Sequence, residues 1–152
     1  MKILITSDWY DPVVNGVVRS ILNLKSYLED RGFDVKVLTL SNSTESYKKG
    51  NVYYIGSLGA GKIYPEARIS ATLRNKFIKE IKDWKPDIVH SQCEFSTFMM
   101  ATKIAKKTSC PLVHTYHTIY EDYTHYFSPS KKVGKKMISV FSKAIADRVE
   151  MI

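Results

Sequence analysis

Asp11-Pro-Val-Val-Asn-Gly-Val-Val-Arg-Ser20 admits two incompatible folds. Asn-Gly between apolar pairs is the strongest short-range signal for a two-residue type I′ hairpin turn. The same residues also read as a loop ending at a helix, with Asn15 as N-cap and Gly16 baring backbone where an anion can approach the first free amides. The residues that follow decide between them. Val17, Val18, Ile21, Leu22, Leu24 and Leu28 recur at spacings of three, four and seven, which is helical periodicity. A hairpin's second arm would have to run through this segment with a period of two, so the helix wins. Arg31-Gly32 then supplies the cation and the glycine that close a helix.

Working outward, Lys2 to Thr6 is a short apolar run that meets the polar Ser7-Asp8-Trp9-Tyr10-Asp11-Pro12, as a buried strand entering a loop does. Phe33, Val35, Val37, Leu38 and Leu40 predict a second strand, and residues 51–55 a third. Residues 69–84 predict a helix with Leu73, Phe77, Ile78, Ile81 and Trp84 on one side, stopped by Lys85-Pro86. A fourth strand at 87–90, a helix at 95–107, a fifth strand at 111–115 and a last helix from Lys135 through Met137, Ile138, Phe141, Ile145 and Val149 complete the pattern. Strands alternating with helices predict an α/β fold: a doubly wound, mostly parallel Rossmann-like sheet with helices on both faces. Right-handed crossovers then gather the loops 7–16, 56–69, 90–94 and 116–134 on one edge, where such folds bind ligands.

The chain of 152 residues fits one domain, and its 44% hydrophobic and 25% charged residues are ordinary globular usage. No stretch has the length of a membrane span or the layout of a secretion signal, and Cys93 and Cys110 form no CxxC pair, so a reducing cytosol is expected. A net charge of +8 attracts nucleic acid, anionic lipid or phosphorylated substrates, and equally keeps a protein soluble. No RNP, helix-turn-helix or zinc-finger pattern accompanies the charge, which argues against nucleic acid. The pattern breaks off inside an apolar helical period at Glu150-Met151-Ile152, so the chain is expected to be a fragment.

The first loop lacks GxGxxG, which argues against a dinucleotide dehydrogenase. A strand, a loop and a glycine at a helix N-terminus remain, and they suit phosphate or a plain cap equally well. His90-Ser-Gln-Cys-Glu94 and His114-Thr-Tyr-His117 end apolar runs at the same edge. His114 and His117 would fall on opposite faces of a strand unless the strand ends between them, and zinc spacings are missing, so no metal site is assigned. Tyr120-Glu-Asp-Tyr-Thr-His-Tyr-Phe127 mixes aromatic rings with carboxylates and imidazole, as sugar or polyol recognition requires, or packs as an Ω-loop. Arg68, Arg74, Lys76, Lys79, Lys82 and Lys85 form one basic cluster, and Lys131, Lys132, Lys135, Lys136 and Lys143 another. Each fits a helix lying on anionic membrane or an ordinary solvated helix face.

Three segments together resemble one family: Ser7-Asp-Trp-Tyr-Asp-Pro-Val-Val-Asn-Gly-Val-Val-Arg-Ser-Ile21, Ile88-Val-His-Ser-Gln-Cys-Glu-Phe95 and Val113-His-Thr-Tyr-His-Thr-Ile-Tyr-Glu-Asp-Tyr-Thr-His-Tyr126. They look like the N-terminal half of retaining glycosyltransferases of family 4, with the GT-B fold. The third segment is the most specific and is similar to enzymes that glucosylate diacylglycerol. The resemblance implies an acceptor-binding, Rossmann-like domain spanning residues 1–152 and a donor-binding C-terminal domain beyond this chain, without which the fragment is expected to be inactive. It implies transfer of a hexose, glucose from a UDP-sugar, to a lipid acceptor with retention of configuration; the nucleotide-sugar is a co-substrate and no cofactor is expected.

By the same resemblance Gly16 faces the donor diphosphate, with its neighbour Asn15 counted among the substrate-binding residues, and His117 contacts the acceptor or the transferred sugar near the reacting carbon. Glu94, Tyr120, Glu121, Tyr123, His125 and Tyr126 line the acceptor side. Arg74, Lys76, Lys79, Lys131, Lys132, Lys135 and Lys136 meet an anionic membrane surface, placing the protein on the inner face of the cell membrane. No metal is implied, since a helix N-terminus and basic side chains can replace it. The competing readings are a family 4 transferase acting on a polysaccharide or small polyol, and a peripheral membrane-binding domain without catalysis. A receiver-type regulatory domain is disfavoured, because Val52-Tyr-Tyr-Ile-Gly56 offers no acidic phosphoacceptor.

Overall fold

The computed structural model describes residues 1–61, 67–70, 72, 74–117, 139–140 and 142–151. Six strands form one sheet in the order β3 (Tyr47–Lys49), β4 (Val52–Ile55), β2 (Asp34–Leu40), β1 (Lys2–Thr6), β7 (Ile88–Ser91), β8 (Leu112–His114). Every pairing is parallel except β3 with β4. A parallel sheet needs cover on both faces, and alternation along β1 supplies it. Ile3 and Ile5 join Val35, Val37 and Tyr54 in one core beneath Ile21 of α1 (Gly16–Asp30). Leu4 joins Leu38, Tyr53 and Val89 in the other, with Ile78 and Ile81 of α2 (Lys76–Trp84) and Phe98, Met100 and Ile104 of α3 (Ser96–Thr108).

The order of the strands locates the working edge. From β1 the chain steps through β2 to β4 on one side, then returns past β1 to β7 and β8 on the other. The reversal falls between β1 and β7, and the loops leaving their carboxyl ends flank the crevice where open α/β sheets bind ligands.

The sequence reading needs three corrections. The helix expected from residue 69 begins at Lys76, because Asn75 stays extended and its side chain accepts from the Phe77 amide at 2.8 Å. Arg68–Ile69, β6, instead pairs antiparallel with Leu58–Gly59, β5, so Arg74 lies outside any helix. Strand β3 was not anticipated: Tyr47, Lys48 and Lys49 are all exposed and carry no apolar alternation, yet they form a hairpin with β4 through Gly50 at φ 57° and Asn51. Of the last helix, residues 139–140 and 142–146 are helical, and Ile145 is buried in the α2–α3 core. Met137, Ile138 and Phe141 lie outside the described residues.

Candidate functional site at the sheet's carboxyl edge

The loop after β1 carries Ser7 and Asp8 into the crevice. Asp8 is 6% exposed, and its Oδ1 accepts from the Thr97 amide of α3 at 2.9 Å. Phe95 offers α3 no side-chain cap, so a carboxylate 89 positions away does that work. Burial dominates its chemistry: removal from water, with a further push from Glu94, raises the Asp8 pKa from 3.8 to about 6 against the opposing hydrogen bonds from Thr97. The Cys93 thiol lies 3.2 Å from the Ser7 hydroxyl and is held far above the ordinary thiol range, chiefly by burial. It is no nucleophile at neutral pH.

The loops after β7 and β8 bring the histidines together. His114 ends β8 and is fully buried, with Nε2 3.3 Å from Glu94 Oε1 and its ring edge-on to Phe98 and Tyr116. The strand does end between His114 and His117, so the two imidazoles are freed from strand alternation. His117 is half-buried, and its Nε2 lies 2.6 Å from Gln92 Oε1. The same Gln92 amide reaches His90 Nε2 at 2.8 Å. Burial lowers the pKa of His90 to about 4 and lowers that of His117, so both are neutral at pH 7. Among the described residues no three of His, Cys, Asp and Glu converge as a metal-ligand set.

On the same edge, α1 starts as expected, with Asn15 Oδ1 accepting from the Val18 amide at 2.9 Å. Asn15 and Gly16 are exposed, and a Cβ added at Gly16 would meet open space. The parallel sheet thus places Asn15, Gly16, Glu94 and His117 on one edge. Tyr120, Glu121, Tyr123, His125 and Tyr126, with Lys131, Lys132, Lys135 and Lys136, lie outside the described residues. Arg74, Lys76 and Lys79 are exposed at the N-terminal end of α2, although Lys79 is engaged by Asp83 at 2.6 Å. Lys82 sits close enough to Lys103 and Lys107 of α3 that both, after burial, lower its pKa; the cationic surface spans two helices.

Asp8 and Gln92 were missed as site residues. The available signal was position: each is a polar residue one or two places beyond an apolar strand, at the switch between β1 and β7.

Comparison with known proteins decides the family. The sequence profile described as Glycosyltransferase Family 4 matches residues 14–152. The chain belongs to glycosyltransferase family 4. It is 30% identical over 151 residues to an alpha-monoglucosyldiacylglycerol synthase of Streptococcus pneumoniae, covering 99% of this chain and 34% of that protein. It is 32% identical over 157 residues to the alpha-monoglucosyldiacylglycerol synthase of Acholeplasma laidlawii, covering 94% and 38%. A sulfoquinovosyl transferase of Arabidopsis thaliana is 33% identical over 107 residues, 69% of this chain and 21% of the relative. The chain spans about a third of the length of the two synthases. A UDP-GlcNAc 2-epimerase of Methanocaldococcus jannaschii superposes with a TM-score of 0.46 at 18% identity, over 76% of this chain and 31% of that one.

Proposed function

We infer that the complete protein to which these residues belong transfers a hexose, glucose from a UDP-sugar, to the hydroxyl of a lipid such as diacylglycerol, with retention at the anomeric carbon. The observation that supports this reading is the shared edge: the exposed start of α1 at Asn15-Gly16 and the neutral His117 both open on the carboxyl side of β1, β7 and β8. Two relatives named as alpha-monoglucosyldiacylglycerol synthases support a lipid acceptor.

In this reading the first amides of α1 face the donor diphosphate, where charge develops as the sugar leaves. The acceptor oxygen bonds to the anomeric carbon as the sugar–phosphate bond breaks, and the acceptor proton passes to the departing phosphate. His117 orients a hydroxyl rather than taking that proton. Glu94, held beside His114, and the segment Tyr120 to Tyr126 line the acceptor side. A C-terminal domain outside this chain fixes the donor, and the reaction requires no resident cofactor. The basic residues Arg74, Lys76 and Lys79, with Lys131, Lys132, Lys135 and Lys136, hold the protein on the inner face of the cell membrane.

In the full-length enzyme, His117→Ala is expected to lower turnover on the order of a hundredfold, as loss of substrate alignment does, while flotation with phosphatidylglycerol vesicles is unchanged. Normal turnover in that variant would refute the role of His117. Flotation that fails in the parent protein would move the acceptor away from lipid.

A further inference from the structure

One amide ties the loops after β7 and β8 together. Gln92 is 2% exposed and presents Oε1 to His117 Nε2 at 2.6 Å and Nε2 to His90 Nε2 at 2.8 Å. The Thr115 hydroxyl meets the same His90 nitrogen at 2.8 Å. An amide oxygen only accepts and an amide nitrogen only donates, so this orientation fixes both rings. His117 Nε2 carries a proton and donates it to Gln92. His90 Nε2 carries none and accepts from Gln92 and Thr115. Burial, reinforced by His114 and His117, keeps His90 neutral down to about pH 4, so its lone pair stays available. Among the described residues, the titratable groups facing His117 are Glu94 from the β7 loop, which favours its cation, His114 from β8, which with burial opposes it, and His90, whose own pKa is lowered by His117. A neutral imidazole protonated at Nε2 leaves Nδ1 with a lone pair.

We propose that Gln92 is a positioning residue that locks His117 in the Nε2–H tautomer, so that Nδ1 accepts a hydrogen bond from a hydroxyl of the transferred sugar or the acceptor. The second half rests on the role inferred above for His117; the lock itself does not. The partner of one ring nitrogen sets the state of the other, and loss of such an orienting partner behind a metal ligand lowers function by about 10- to 100-fold.

The test uses 15N-histidine-labelled full-length protein carrying Gln92→Leu or Gln92→Glu, read by nitrogen shifts and by turnover against pH. The native protein is expected to show His117 protonated at Nε2. Gln92→Leu should give a mixture of tautomers and a kcat lowered about 10- to 100-fold, with the donor KM nearly unchanged. Gln92→Glu should restore the Nε2–H tautomer, because a carboxylate also accepts. Its negative charge should raise the His117 pKa and move the acid limb of the kcat profile up by about one pH unit or more. The signals of His114, packed between Phe98 and Tyr116, report whether each variant keeps the native interior. A native His117 protonated at Nδ1, or a tautomer unmoved by Gln92→Leu, would overturn the lock. A tautomer that moves as expected while Gln92→Leu and His117→Ala both turn over normally would retain the lock and overturn the role of Nδ1 toward substrate.

Discussion

Two helices start on the same edge of the sheet and treat their free amides in opposite ways. α1 caps itself: Asn15 takes the Val18 amide, and both Asn15 and Gly16 stand in solvent with open space at the glycine. α3 has no local cap; Ser96 and Thr97 are buried, and Asp8 reaches across from β1 to take the Thr97 amide. Burial accounts for the difference. An amide that water can reach is satisfied by water or by a visiting anion, whereas a buried one requires a resident acceptor. The two ends carry the same partial positive charge, but α3 has spent it on a fixed carboxyl group and α1 has not. A second anion approaching α3 would meet Asp8, so of the two helix starts only that of α1 is open to a diphosphate.

The largest effect expected from this contrast is one of pH. The folded pKa of Asp8 rises above its unfolded value, from 3.8 to about 6, because burial penalises the carboxylate. The folded protein therefore binds the Asp8 proton more tightly, and the stability this contributes is complete below about pH 4 and lost as pH rises through about 6. At about 1.4 kcal/mol per pH unit the change amounts to about 3 kcal/mol. Asp8→Asn keeps an oxygen for the Thr97 amide and removes the titration. Urea unfolding from pH 4 to 7 should show the difference in stability between the two proteins drifting toward the variant by about that amount. A constant offset across the range would mean that Asp8 titrates as an exposed carboxyl does.

A smaller effect separates the two caps themselves. Asp8→Ala, measured against Asp8→Asn, removes the acceptor and leaves a buried amide unpaired, at a cost of about 2 kcal/mol. Asn15→Ala removes the corresponding bond at α1, which is only part-buried beside the exposed Asn15 and Gly16, and should cost about half as much. Chemical denaturation of the three variants checks the order. Equal losses at the two sites would break the comparison, because burial would then not be what distinguishes them.

The same contrast explains what the sequence revealed. The α1 cap is a local event: Asn15 lies three residues from the amide it satisfies, and the periodicity of Val18, Ile21, Leu24 and Leu28 follows directly. Strands β1, β2, β4, β7 and β8 were legible for a related reason, since a parallel strand covered on both faces is a continuous apolar run. The α3 cap joins residues 89 positions apart, and no local pattern marks Asp8 as its acceptor. Gln92 escaped likewise, because its partners His90 and His117 become neighbours only when β8 pairs with β7. Strand β3 failed differently: its exposed Tyr-Lys-Lys has no buried face to impose alternation, and only Gly50-Asn51 signalled the turn. For residues 69–84, apolar spacing extended the helix about two turns too far, because a side-chain acceptor at Asn75 outweighs periodicity upstream of it.

The smallest expected change in stability is at Gly16, and there stability and ligand binding should part. An added methyl meets nothing within 4 Å, and glycine in a helix is less favourable than alanine, so Gly16→Ala should be neutral or stabilise the fold by about 0.5 kcal/mol. If the start of α1 receives a diphosphate, the methyl group stands where phosphate oxygens approach the backbone, and donor binding should weaken although the fold does not. Calorimetric titration of the full-length enzyme with UDP, beside thermal unfolding of the same variant, separates the two quantities. An unchanged UDP affinity would leave the open end of α1 as an exposed cap and nothing more, and its difference from α3 would then concern burial alone.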